Sequence, residues 1–138
     1  VKSLFWVGMT KLRKILYVED DPDIRTIAAL ALEKVGGFKV KTCSSGRVAL
    51  QEVEAFDPDL IILDVMMPDM DGPATLVKLR ADAGQTKKPV IFMTAKVMSS
   101  EIDEYKALGA IDVIPKPFDP MTLADRVRSI WDAANGEY

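Results

Sequence analysis

Four places in this 138-residue chain put a chemically able side chain where a short apolar run ends. They are Glu19-Asp20-Asp21 after "ILYV", Asp64 after "LIIL", Thr94 after "VIFM" and Lys116 just beyond "IDVI". A carboxylate that closes a buried strand must be solvated, paired, metal-bound or chemically employed. Carboxylates crowded within about 4 Å repel by on the order of 1 to 4 kcal/mol per pair, a large fraction of a typical folding stability. A hard divalent cation reverses the sign of that interaction. An all-oxygen site with few protein ligands and open positions suits Mg²⁺ better than Zn²⁺ or a caged Ca²⁺. With a cation withdrawing charge from an incoming phosphoryl group, an oxygen of Asp64 becomes a competent nucleophile toward phosphorus. Lys116 then offers a second positive charge to the phosphoryl oxygens, and the Thr94 hydroxyl offers a neutral donor.

The elements that must position these groups are legible as an alternation. The apolar runs 15–18, 38–43, 60–63, 90–93 and 111–114 are strand-sized. Between them lie helix-sized segments at 22–35, 46–56, 73–82, 99–108 and 119–134. In the first of these, Ile24, Ile27, Ala28, Ala31 and Val35 share a face. Strands that read as continuous apolar runs, alternating with helices, signal a parallel sheet covered on both faces. Right-handed crossovers then favour a three-layer, doubly wound α/β sandwich, (βα)5, with a flavodoxin-like strand order of 2-1-3-4-5. In such sheets ligands bind beyond the carboxyl ends of the strands, which is where the four chemical positions fall. The punctuation agrees: Asp21-Pro22 reads as an N-cap followed by a first-turn proline, Gly36-Gly37 ends the first helix, and Asp119-Pro120 opens the last.

Composition excludes several classes. There is no histidine, so no Ser-His pair, His-ligated zinc or imidazole base can be built from this chain, and any phosphohistidine must belong to a partner. Eighteen Lys and Arg against 21 Asp and Glu give a net charge of -3 with no basic run, so neither nucleic acid nor an anionic membrane is expected as a direct partner. A lone cysteine, Cys43, cannot close an intrachain bridge, which fits a reducing cytoplasm. The stretch "LFWVGM" at 4–9 is too short to span a bilayer. Residues 1–11 read as a flexible leader within which Met9 is the natural start, and 12–138 as a single domain with no room for an output domain.

"YVEDD", "LIILDVMMPDMDG", "VIFMTA" and "ALGAIDVIPKPF", in this order and spacing, resemble the receiver domain of two-component response regulators over about residues 12 to 134. The resemblance implies Asp64 as phosphoacceptor, Asp20 as a direct Mg²⁺ ligand, Glu19 as an acidic partner acting through water, and the Met66 backbone carbonyl as a further ligand. It makes Thr94 the switch hydroxyl, Lys116 the lysine that contacts the phosphoryl group, and Lys116-Pro117 a candidate cis peptide. It also implies a histidine kinase or histidine phosphotransfer protein as donor, and catalysis confined to the domain's own phosphoryl transfer and hydrolysis. Output is expected through the 99–134 face, with Ile102, Tyr105, Val113, Met121 and Trp131 as candidate contacts, some of which, Trp131 above all, must be core instead, in a monomer or weak dimer. Asp112 and Arg126 resemble one charge pair of receiver dimers. Gly72 is expected to allow a tight turn after the acceptor loop.

Two positions depart from the pattern. Receivers usually carry Tyr or Phe three residues before the lysine, and Val113 stands here instead. Signalling is therefore expected to rest on Thr94, the loop after it and a shift of helix 99–108, with Tyr105 as a substitute ring. Met66 and Lys96, two residues after Asp64 and Thr94, resemble the positions that frame water access to the acyl phosphate. An apolar Met66 would not orient an attacking water, so slow self-hydrolysis is expected.

Other readings fit less well. A phosphatase or mutase of the haloacid-dehalogenase type needs a second aspartate where Met66 stands. A flavin or nucleotide site needs phosphate-cradling donors after the first strand, where "EDDPD" repels phosphate. A phosphorylation-independent scaffold would have no use for a complete acceptor pocket.

Overall fold

The computed structural model describes residues 11–81, 88–95 and 98–135. Lys96 and all but the last residue of the expected leader lie outside them. Five strands, β1 (Lys14–Val18), β2 (Lys39–Cys43), β3 (Leu60–Asp64), β4 (Val90–Thr94) and β5 (Asp112–Pro115), form one sheet in the order β2-β1-β3-β4-β5. Every neighbouring pair is parallel. The helices between and after them are α1 (Pro22–Leu30), α2 (Gly46–Phe56), α3 (Gly72–Ala81), α4 (Ser99–Ala107) and α5 (Leu123–Ala134). The α/β sandwich with order 2-1-3-4-5 is therefore as the alternation predicts.

The strand sequences explain the three layers. Residues alternate in direction along a strand, so Ile15, Tyr17, Leu60 and Ile62 pack with Leu32, Ala124, Val127 and Trp131 on the face covered by α1 and α5. Leu16, Val18, Ile61 and Leu63 pack with Val53, Leu76 and Leu79 on the face covered by α2 and α3. β3 and β4 are buried at every residue, as central strands covered on both faces must be. β2, at the edge, buries only Cys43 completely.

Local capping starts the helices. The Asp21 carboxylate accepts from the backbone N–H of Asp23 and Ile24, and Ser45 accepts from Val48 at 3.1 Å. The helix predicted over 22–35 is α-helical only to Leu30 and continues as a π-helical turn, Ala31–Val35, with Gly36 N–H donating to Ala31 O at 3.2 Å. Gly37, at φ 76°, then reverses the chain into β2. The helix expected from 119 begins at Leu123. Ahead of it Asp119 organises a turn, its carboxylate accepting from Met121 N–H at 2.9 Å and its carbonyl from Leu123 N–H at 3.0 Å.

Gly72 has a different role from the one expected. Its φ is not positive; what the position demands is absence of a side chain. A Cβ there would stand 2.6 Å from the Asp64 carbonyl oxygen and 2.9 Å from Val65 Cα, both backbone atoms that cannot step aside. The first turn of α3 is thereby seated directly on the end of β3, an approach sealed by Gly72 N–H donating to Val65 O at 2.9 Å. Replacing Gly72 by Ala is expected to lower the unfolding free energy by about 1 to 3 kcal/mol, the usual cost of forced overpacking. Urea denaturation checks this, and an unchanged midpoint would show that the backbone yields freely.

Candidate functional site

The carboxyl ends of β1, β3, β4 and β5 lie side by side, and their last residues meet. One ligand atom from each of Glu19, Asp20 and Asp64 lies within 4.8 Å of the others. Lys116 projects over them: its Nζ donates to Asp64 Oδ1 at 2.9 Å and to Glu19 Oε1 at 3.0 Å. The two carboxylates are almost wholly buried, with Asp64 at 2% and Glu19 at 1% exposure, and the lysine side chain is 18% exposed. Asp20 is the more open of the three acids. The peptide bond after this lysine, Lys116-Pro117, is cis.

The residues behind the pocket hold it in shape. Glu19 is nearly saturated: besides Lys116 it accepts from Asp21 N–H at 3.2 Å and from the Tyr17 hydroxyl at 3.4 Å. Its own N–H donates to the Cys43 carbonyl at 3.0 Å. Arg25, one turn into α1, reaches back so that its guanidinium donates to the Glu19 carbonyl at 2.9 Å and to the Asp20 carbonyl at 3.4 Å. Neither Tyr17 nor Arg25 stands out in the sequence. Tyr17 is one more apolar-looking residue of a strand, and Arg25 one more charge on an amphipathic helix. The i+6 spacing of Arg25 from a strand-end acid, across a capped turn, is the one signal that could have marked it.

Thr94 closes β4 and is buried at 2% exposure. Its backbone carbonyl accepts from Lys116 N–H at 2.9 Å, and the residue before it, Met93, lies opposite Asp64 in the sheet register. Burial first, and the Glu101 carboxylate second, hold the Tyr105 hydroxyl of α4 above its ordinary pKa. Met66 turns its side chain outward at 68% exposure, whereas Met67 and Met70 in the same loop are buried. Asp69 takes a left-handed conformation, φ 72°, and is held by Arg47 at 2.7 Å.

Of the expected output-face residues, Val113 and Trp131 belong to the core at 3% and 5% exposure. They cannot be surface contacts, because β5 and α5 both use their apolar sides to cover the sheet. Ile102 and Tyr105 are half-buried, and Met121 is open. Asp112 sits within one chain between Lys106 and Arg126, 3.9 Å from each.

Among the described residues the pocket is short of positive charge. Burial pushes the pKa of Asp64 upward, against the opposing pull of Lys116, with Asp20 adding to the rise. Glu19 is raised in the same way, by burial first, against Lys116 and the Asp21 N–H. Burial works to lower Lys116, but its bonds to Asp64 and Glu19 prevail and hold it above its ordinary value. Burial likewise keeps the Tyr17 hydroxyl protonated and pushes the Cys43 thiol up to about 11, so neither is a ready nucleophile at neutral pH.

A carboxylate whose folded pKa is raised stabilises the fold below its unfolded pKa of about 4, and that contribution is lost as pH rises through the folded value. Without added metal, Asp64→Asn should therefore gain on wild type as pH rises from about 4 toward neutrality, by on the order of 1 kcal/mol at the top of the range. Paired denaturation curves across that range measure the gap, and a gap that narrows with pH would contradict the charge balance described here.

Comparison with known proteins agrees with this geometry. The profile of the family described as "Response regulator receiver domain" matches residues 15–128. The chain is 39% identical over 120 residues to the alkaline phosphatase synthesis transcriptional regulatory protein PhoP of Bacillus subtilis, a match covering 86% of this chain and 48% of that protein. It is 36% identical over 120 residues to the DNA-binding response regulator MtrA of Mycolicibacterium smegmatis, covering 87% of this chain and 51% of the other. The chain thus spans about half the length of the curated relatives it matches. Among solved structures, the chemotaxis response regulator CheY4 of Vibrio cholerae superposes with a TM-score of 0.79 at 31% identity, over 87% of this chain and 99% of that one. Profile, relatives and fold agree over the same span, and the chain belongs to the receiver-domain family of two-component response regulators.

Proposed function

We propose that this receiver domain accepts a phosphoryl group on Asp64 in a Mg²⁺-dependent reaction and passes the change to a protein target. The observation that carries the reading is the Lys116 ammonium, bonded at once to Asp64 and Glu19 in a buried pocket whose described residues still hold an excess of negative charge. An Asp64 oxygen attacks phosphorus, the bond from phosphorus to the donor's nitrogen or oxygen breaks with its electron pair leaving on the donor, and Lys116 swings its charge to the new phosphoryl oxygens. Thr94 offers its hydroxyl to another of them.

The acids fit a small hard cation. Asp20 is the most accessible of them and Asp64 lies beside it, which suits both as ligands with the Met66 carbonyl completing the protein's share. Glu19, tied up by Lys116, Tyr17 and the Asp21 N–H, suits a supporting role through water. Bound Mg²⁺ supplies positive charge that offsets repulsion between the acids and an incoming phosphoryl group. The domain's catalysis is confined to its own phosphorylation and dephosphorylation.

A chain without histidine needs its phosphohistidine from a partner, a histidine kinase or histidine phosphotransfer protein. An apolar groove of about 370 Å³, lined by Ile24, Ile27, Pro117, Phe118 and Pro120, ends at Lys116. It offers such a donor a contact surface immediately beside the acceptor. A protein target, rather than nucleic acid, suits the net charge of -3 of this chain. The names of PhoP and MtrA describe transcriptional or DNA-binding proteins of about twice this span. Output through α4, β5 and α5 has Met121 as its open apolar residue. Asp112, already flanked by cations of its own chain, supports a monomer or weak dimer. Among the described residues no helix is long and apolar enough to cross a membrane, and the lone cysteine suits the cytoplasm.

Acetyl phosphate with Mg²⁺ should add one phosphoryl mass to wild type and none to Asp64→Asn; equal gain in both would move the acceptor elsewhere. Mg²⁺ alone should raise the wild-type melting midpoint and leave that of Asp64→Asn nearly unmoved, since a ligand bound only by the folded state stabilises it. Ile27→Glu should slow transfer from a phosphorylated protein donor at least tenfold while leaving labelling by acetyl phosphate unchanged, a split that a merely misfolded variant would not produce.

A further inference from the structure

The corner between β2 and α2 touches the acid pocket on one side and the loop after Asp64 on the other. Where β2 ends, the Cys43 carbonyl accepts from Glu19 N–H at 3.0 Å. Ser45 then caps α2, and Gly46, its first residue, is seated against α3. A Cβ on Gly46 would collide with the hydroxyl of buried Thr75 and stand 3.3 Å from the Met70 methyl. Arg47 follows on this fixed turn, and its Nε donates to Asp69 Oδ2 at 2.7 Å. The two side chains are 69% and 63% exposed, and an ion pair so open adds little to global stability. Its effect is local.

Asp69 needs such a hold. Its φ is 72°, and Met70 N–H donates back across it to the Pro68 carbonyl at 2.8 Å. Together these describe a γ-turn of the positive-φ hand, the rare and strained form. A residue persists in such a conformation only where its surroundings over-determine it. Met70, buried beside Gly46, secures the following residue, and Arg47 secures Asp69 itself. The loop is also pinned at its ends, with Val65 N–H donating to Met93 O and Gly72 N–H to Val65 O, both at 2.9 Å. Slack at Asp69 must therefore be taken up within residues 66–71, where the exposed side chain of Met66 has no burial to resist it.

We infer that Arg47 is a positioning residue for the cation site: by holding Asp69 in its turn, it fixes the loop that carries the Met66 carbonyl. The inference rests on that carbonyl as a Mg²⁺ ligand. Charge alone predicts the opposite effect, since removing a positive charge from the chain should tighten the binding of a cation. The sign of the change thus separates shape from charge.

Isothermal titration of the full chain with Mg²⁺ tests this, together with hydrogen exchange of the loop amides in the absence of metal. Arg47→Met should weaken Mg²⁺ binding about tenfold, the lower end of what losing a partner behind a metal ligand costs. Its Met70 amide should exchange several-fold faster without metal, while the urea midpoint moves little. Arg47→Lys, which keeps a donor for Asp69, should retain most of the affinity. Glycine adopts positive φ without strain, so adding Asp69→Gly to Arg47→Met should recover most of the lost affinity although the ion pair is gone. Binding by Arg47→Met as tight as wild type, or tighter, would overturn the positioning role and leave the cation site standing. A double variant as weak as the single one would do the same. Absence of Mg²⁺ binding in wild type would instead sink the cation reading, and the role of Arg47 with it.

Discussion

One ammonium group, on Lys116, balances two buried carboxylates that come from sequence positions 97 and 52 residues earlier. Taking three charges out of water costs several kcal/mol per ion, and mutual attraction offsets this only when the geometry is good. The sheet supplies that geometry. β5 is not a neighbour of β3, since β4 lies between them, so the lysine must cross over the end of β4 to reach Asp64. This requires all four strand ends to stay in register, and Thr94 to remain small. A long, flexible side chain is suited to that reach, and its single charge leaves the third acid, Asp20, without a share.

How far this was visible beforehand depends on the range over which each signal acts. β3 and β4 were legible because a strand buried on both faces has no choice but to be apolar throughout, and Asp64 interrupts that run conspicuously. Asp21 was legible as a cap because the interaction spans three residues. Three features were not: the π-helical turn at Ala31–Val35, the clasp from Arg25 to the carbonyls of Glu19 and Asp20, and the seating of Gly72 on β3. Each follows from where another segment happens to pass. Val113 reads as a surface candidate because amphipathic elements near a functional face look alike from either side, whereas the bulk of Trp131 already points to the core. Burial at 3% and 5% settles them as core.

The helices around the sheet are anchored unequally. α1, the π-helical turn that continues it and α5 contribute Ala28, Leu32, Val127, Ile130 and Trp131 to a continuous core, and helices so packed cannot shift without opening voids. α4 contributes only partly buried residues. Local free energies of opening differ between such elements within one domain, so a change at the strand ends meets least resistance in the direction of α4. Rigidity beneath the acids and compliance beside Thr94 are thus products of the same packing.

The edge of the sheet at β2 has a consequence of its own. Lys39 and Lys41 alternate with Val40 along a strand whose outer side no other strand covers among the described residues. Two such borders brought together from different molecules would set Lys39 against its counterpart, Lys41 being paired with Glu52 at 3.5 Å, which disfavours lateral fusion of sheets into larger aggregates.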